Sequence, residues 1–162
     1  MRLTSIFFDL DETLIHSVLA EEGGGECPAG ATVFGPYHSW MRPCAFDLLK
    51  AARSIGVPTF LCTTSERRYA SGLSKLFDLG FAENEILGYE HLTSGQTGLA
   101  PGAVLIDDME PGHEIAQFKR QVLGIGTERY CQLPAFRGRP PGDENAVIQS
   151  LNAFLRPFRN AR

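Results

Sequence analysis

Three short runs, TSIFFDL (4–10), GVPTFLCT (56–63) and GAVLIDD (102–108), are apolar on both parities and end in polar or acidic residues. A strand with one wet face would alternate. Continuous apolarity over so few residues means cover on both faces, which is the condition of strands in a parallel sheet. RYCQL (129–133) and EILGYE (85–90) are weaker candidates of the same kind. Parallel strands need crossovers, and helical segments alternate with the runs as that requires. Residues 43–56 begin at Pro43 and stop at Gly56, and 65–80 begin at Ser65, expected as the cap, and stop at Gly80. Residues 112–124 follow the third run. The last segment, 143–158, starts at Asp143 as expected cap and gathers Val147, Ile148, Leu151, Phe154 and Leu155 on one face. The expectation is an α/β fold.

With 162 residues the chain has room for one core and no linker divides it, so it reads as a single domain over 1–162. The Gly-rich stretch at about 18–39 is too long for a plain connection and is expected to form a small flap over the strand ends. A net charge of −4 gives no general pull toward nucleic acid or anionic membrane. Arg137, Arg139, Arg156, Arg159 and Arg162 make the C-terminal part locally basic, read as a solvated surface. Cys27, Cys44, Cys62 and Cys131 show no CxxC or zinc spacing, and Cys62 and Cys131 sit in apolar runs. Reduced thiols, no export signal and no membrane-length segment place the chain in the cytoplasm as an expectation.

Chemistry gathers at the carboxyl ends of parallel strands. The first run delivers Asp9 and Asp11 there, the second Thr63 and Thr64, the third Asp107 and Asp108. Carboxylates meeting in one crevice repel, and a hard divalent cation resolves the conflict; oxygen ligands with room for water suit Mg2+. Residues i and i+2 leaving a strand point the same way, so Asp9 and Asp11 can face one substrate atom. One carboxyl can attack phosphorus while its neighbour protonates the leaving oxygen and then activates water. The Thr63 hydroxyl, ahead of a helix start, adds a donor for a phosphoryl group.

FFDLDETLIHS (7–17) resembles the DxDxT motif of the haloacid dehalogenase (HAD) superfamily. Its form is closest to the small phosphatases of the RNA polymerase II C-terminal domain, the NLI-interacting-factor-like branch. WMRPCAFDLLKAA, FLCTTSERRYA and VLIDDMEP resemble the Arg-Pro lead-in to the first helix, the second motif and the fourth motif, in the family's order. The resemblance implies a three-layer, Rossmann-like parallel sheet with helices on both faces and a minimal cap. It implies a phosphomonoester phosphatase with Asp9 as nucleophile and Asp11 as general acid/base. Asp9, the Asp11 carbonyl and Asp107 would hold Mg2+, with Asp108 assisting through water, Thr63 and Thr64 on the phosphoryl group, and Thr13 bracing the loop.

The family's third motif places a Lys or Arg shortly before the fourth-motif strand. Here none occurs between Lys75 and Lys119. Lys75 lies about 15 Å along its helix at 1.5 Å per residue. Arg68, in the first turn of that helix, is therefore the expected surrogate. The missing cation also leaves open a binding module that has lost turnover, and the same intermediate would serve a phosphotransferase. The segment 23–35 does not match the family's phosphopeptide-reading flap. A phosphoprotein, sugar phosphate, nucleotide or nucleic-acid end all remain open as substrate, as does the oligomeric state.

Overall fold

The computed structural model describes residues 2–20, 26–138 and 142–159. Gly23, Arg139 and Arg162, singled out above, lie outside them. Five parallel strands form the central sheet in the order β6-β5-β1-β7-β8. They are β1 (Ile6–Phe8), β5 (Thr59–Cys62), β6 (Ile86–Leu87), β7 (Val104–Asp107) and β8 (Tyr130–Gln132). Phe8 stands in register with Leu61 on one side and Ile106 on the other, so β1 is the centre of the sheet. All five runs identified in the sequence become strands.

The period of two assigns each side chain to a face. Ile6, Phe8, Leu61, Val104 and Ile106 enter one apolar cluster with Leu48 and Leu49 of α1 (Ala45–Arg53), Leu73 of α2 (Arg67–Leu76) and Leu151 of α5 (Glu144–Arg159). Phe7, Cys62 and Leu105 enter the other, against Ala116, Val122 and Leu123 of α4 (Glu114–Leu123). The result is three layers, helix, sheet and helix. A short helix, α3 (Tyr89–Leu92), follows β6.

The caps are partly those expected. Asp143 Oδ1 accepts the amides of Asn145 and Ala146 at 2.9 and 3.2 Å, and α4 ends at Gly124 in the left-handed region with φ 76°. Ser65 is different. Glu66 occupies the cap position of α2, and the Ser65 hydroxyl turns to Asp11 instead.

Between β1 and α1 the chain builds a second, antiparallel sheet in the order β2-β4-β3, from β2 (Ile15–Leu19), β3 (Thr32–Phe34) and β4 (Tyr37–Met41). It rests on α2: the Phe34 ring lies where a Cβ on Gly72 would be, so that only glycine admits it. Trp40 packs on His16 with ring centroids 5.8 Å apart and gives its indole N–H to the Ala29 carbonyl.

Arg42 is fully buried and ties distant segments together. It donates to the carbonyls of Thr13 and Pro134 at 3.1 and 2.9 Å and pairs with Glu144 at 3.3 Å. Glu144 also accepts the Cys44 amide, which fixes the start of α5 against the start of α1. Leu151 has no exposure in that packing. Leu151→Ala is expected to lower unfolding stability by about 2–5 kcal/mol in urea titration; a loss below about 1 kcal/mol would mean that α5 is not part of the cooperative core.

Candidate active site

The carboxyl ends of β1, β5 and β7 meet in one crevice. Asp9 follows β1, and its amide donates to Ile106 of β7 at 2.8 Å. The chain then turns sharply: the amides of Leu14 and Ile15 both return to the Leu10 carbonyl, and Glu12 takes φ 62°, which non-glycine residues seldom adopt. This turn reverses the chain directly after the two aspartates.

Carboxylate oxygens of Asp9, Asp107 and Asp108 lie within 4.8 Å of one another. The Thr13 hydroxyl lies between Asp9 Oδ2 at 3.3 Å and Asp108 Oδ1 at 3.1 Å. Asp107 Oδ1 accepts the Met109 amide at 3.0 Å. An all-oxygen cluster that retains accepting capacity on several carboxylates fits a hard divalent cation.

The expected cation, Arg68, is exposed and lines a surface groove with Arg67, Lys75 and Glu83. The cation against Asp9 is Lys119. Its Nζ donates to Asp9 Oδ1 at 2.6 Å and to Asp107 Oδ2 at 2.8 Å, and it is 1% exposed. It comes from α4, beyond the acidic strand, where the third-motif order gives no reason to look. A signal was nevertheless available: Ala116, Lys119, Val122 and Leu123 form the buried stripe of α4, so a lysine occupies a core position on an apolar helix face. A buried ammonium needs a partner of opposite charge.

The electrostatics follow from that packing. Burial raises the Asp9 carboxyl; the Lys119 ammonium opposes the rise, and the Asp107 and Asp11 charges add to it. Burial alone would lower the Lys119 ammonium, but Asp9 and Asp107 hold it above its ordinary value. Cys62, below the site, is no rival nucleophile, because burial raises its thiol to about 12.

Asp11 faces elsewhere. Its Oδ2 accepts the Ser65 hydroxyl at 2.9 Å and its Oδ1 the Tyr69 hydroxyl at 3.1 Å. Burial raises its carboxyl while these two bonds lower it. The environment thus favours the protonated form more than water does. Asp108 is likewise raised, by burial and by the charge of Asp107. Thr63 is buried after β5, its hydroxyl accepting the Ser65 amide at 3.0 Å, whereas Thr64 is exposed.

A central parallel sheet carrying aspartates at the ends of neighbouring strands, under a small antiparallel sheet, is the architecture of a HAD-like protein. Residues 4–93 match the model of the NLI interacting factor-like phosphatases, and the chain belongs to that family. Among solved structures it is similar to the fission yeast RNA polymerase II CTD phosphatase Fcp1, as the R271A variant bound to beryllium fluoride. The TM-score is 0.54 and the identity 14%, over 97% of this chain and 50% of that one, so this chain spans half the length of that relative. It is also similar to a HAD family hydrolase from Deinococcus radiodurans R1 with bound phosphate and sodium, at TM-score 0.49 and 16% identity, over 92% of this chain and 88% of that one. Among curated proteins, none matches.

Lys119 offers a direct check on the electrostatics. Its ammonium is held above its ordinary value of 10.5, so its stabilisation is complete below that value and fades only as the pH rises through the folded-state one. Lys119→Met leaves Asp9 and Asp107 facing each other uncompensated. It is expected to lose about 3–5 kcal/mol near pH 8. The deficit narrows as the pH falls and the raised Asp9 carboxyl takes up its proton. Urea titration at several pH values measures it, and a deficit independent of pH would contradict this account.

Proposed function

We propose that this protein is a Mg2+-dependent phosphomonoester phosphatase working through an aspartyl-phosphate on Asp9. The observation that carries the reading is the setting of Asp9: at the end of the central strand, against the Lys119 ammonium, beside Asp107 and Asp108, with Asp11 two residues on. Membership of a phosphatase family supports the reaction class. The single domain with the β2-β4-β3 sheet as its flap belongs to the same reading. So does a cytoplasmic setting, in keeping with the buried free thiols of Cys44, Cys62 and Cys131. No helix among the described residues is long and apolar enough to cross a membrane.

In the first step a carboxylate oxygen of Asp9 forms a bond to phosphorus as the ester P–O bond breaks. Asp11, whose proton is favoured by burial, gives that proton to the departing oxygen. The hydroxyls of Ser65 and Tyr69 hold Asp11 in place, and either can turn from donor to acceptor when the carboxyl carries a proton. In the second step Asp11 takes a proton from water, the water oxygen bonds to phosphorus, and the Asp9–phosphorus bond breaks. Inorganic phosphate leaves and both aspartates return to their starting states.

Lys119 holds the Asp9 carboxylate and meets the charge of the phosphoryl oxygens. On the same reading Thr63 and Thr64, which follow β5, bind the phosphoryl group. Mg2+, held by Asp9, Asp107, Asp108 and the Asp11 carbonyl, would supply further charge neutralisation on the transferred group. Arg42 fixes the loop from behind through the Thr13 carbonyl. With Lys119 beside the nucleophile, the reason for reading the chain as a module without turnover falls away.

Hydrolysis of a generic aryl phosphate should require Mg2+, stop on chelation and fall to background in Asp9→Asn. Beryllium trifluoride should bind the unsubstituted protein and not the Asn variant, as followed by fluorine NMR. Turnover that survives in Asp9→Asn would remove Asp9 from the mechanism.

A further inference from the structure

A cleft of about 430 Å³ opens beside Asp11, lined by Asp11, Tyr37, Ser65, Glu66 and Tyr69. It adjoins the carboxyl that, on the reading above, protonates the departing oxygen, so it is where the departing group would lie. Two features describe what it accepts. The first is aromatic: Tyr37, from the flap strand β4, meets Tyr69 of α2 edge-on, with centroids 5.4 Å apart and planes at 71°. Phe34 stands behind Tyr69 at 5.9 Å. Half-buried rings at a cleft wall offer face and edge contacts to another flat ring. The second is charge. Asp11 and Glu66 line the cleft, and among the described residues no Lys or Arg does.

The cations of the neighbourhood are engaged elsewhere. Lys119 is buried between Asp9 and Asp107, Arg137 pairs with Glu12 at 3.4 Å, and Arg67 and Arg68 line the separate groove on α2. A departing group with a second phosphate or a carboxylate would meet the Glu66 carboxylate and, among the described residues lining the cleft, no compensating cation.

We propose that the substrate is a small phosphomonoester whose leaving group carries an aromatic ring, uncharged or cationic, seated against Tyr37 and Tyr69. This rests on the phosphatase reading for the reaction, and on the cleft for the selectivity. Polyanionic leaving groups, such as nucleotides with further phosphates, are disfavoured by the Glu66 carboxylate. Tyr69 is a positioning residue as well as a wall, since its hydroxyl is spent on Asp11.

The test uses phosphates of alcohols with similar acidity, so that leaving-group chemistry does not mimic selectivity. Benzyl phosphate should exceed propyl phosphate in kcat/KM by about fivefold or more, and Tyr37→Leu should bring the ratio toward one. 4-(Aminomethyl)benzyl phosphate should exceed 4-carboxybenzyl phosphate by about threefold or more, and Glu66→Gln should narrow that gap. If all four are turned over with equal kcat/KM and neither variant changes a ratio, the cleft proposal is overturned while the phosphatase stands. If none is turned over, the phosphatase reading fails, and calorimetric affinities of benzylphosphonate and propylphosphonate decide the cleft. Tighter benzylphosphonate binding, lost in Tyr37→Leu, supports it; equal affinities overturn it.

Discussion

One ammonium between two carboxylates sets the terms for the rest of this site. β1 and β7 are hydrogen-bonded neighbours, and each ends in an aspartate, so the parallel sheet itself forces Asp9 and Asp107 together. Without compensation that juxtaposition would oppose pairing of the very strands that form the centre of the fold. Lys119 bonds both at under 3 Å from within an apolar helix face. Such an arrangement is costly to desolvate and tolerable only with good geometry. Its effect is to hold the Asp9 carboxyl in a nearly dry place.

The two aspartates of the first motif are held by different chemistry. Asp9 is bound by a fixed charge, which favours its ionised form. Asp11 is bound by two hydroxyls, which can donate or accept as its proton comes and goes. Two residues apart in sequence, they face opposite partners, Lys119 from one helical layer and Ser65 and Tyr69 from the other side of the sheet. The sheet's three-layer construction thus gives the two carboxyls separate environments, one ionic and one of hydroxyls.

The strands were legible because coverage on both faces leaves an unmistakable apolar run, and their acidic ends followed from the same runs. Helix limits were legible where a cap used its own side chain, as at Asp143. They failed at Ser65, whose hydroxyl had a stronger claim on it from Asp11, a partner 54 residues away. Lys119 was missed for a related reason. Its importance lies in its place on a helix face packed against the sheet, not in its position before a motif, and only the stripe from Ala116 to Leu123 marks it. The flap's register was not readable either: glycine and proline across 23–36 carry no period to fix it.

Arg42 joins three stretches that synthesis delivers at very different times. Its guanidinium reaches the carbonyl of residue 13, the carbonyl of residue 134 and the carboxylate of residue 144. The turn carrying Asp9 and Asp11 closes with its own backbone bonds, yet its rear support arrives only when α5 docks. On a ribosome, the turn bearing Asp9 and Asp11 would therefore exist unbraced until residues 134 and 144 had emerged.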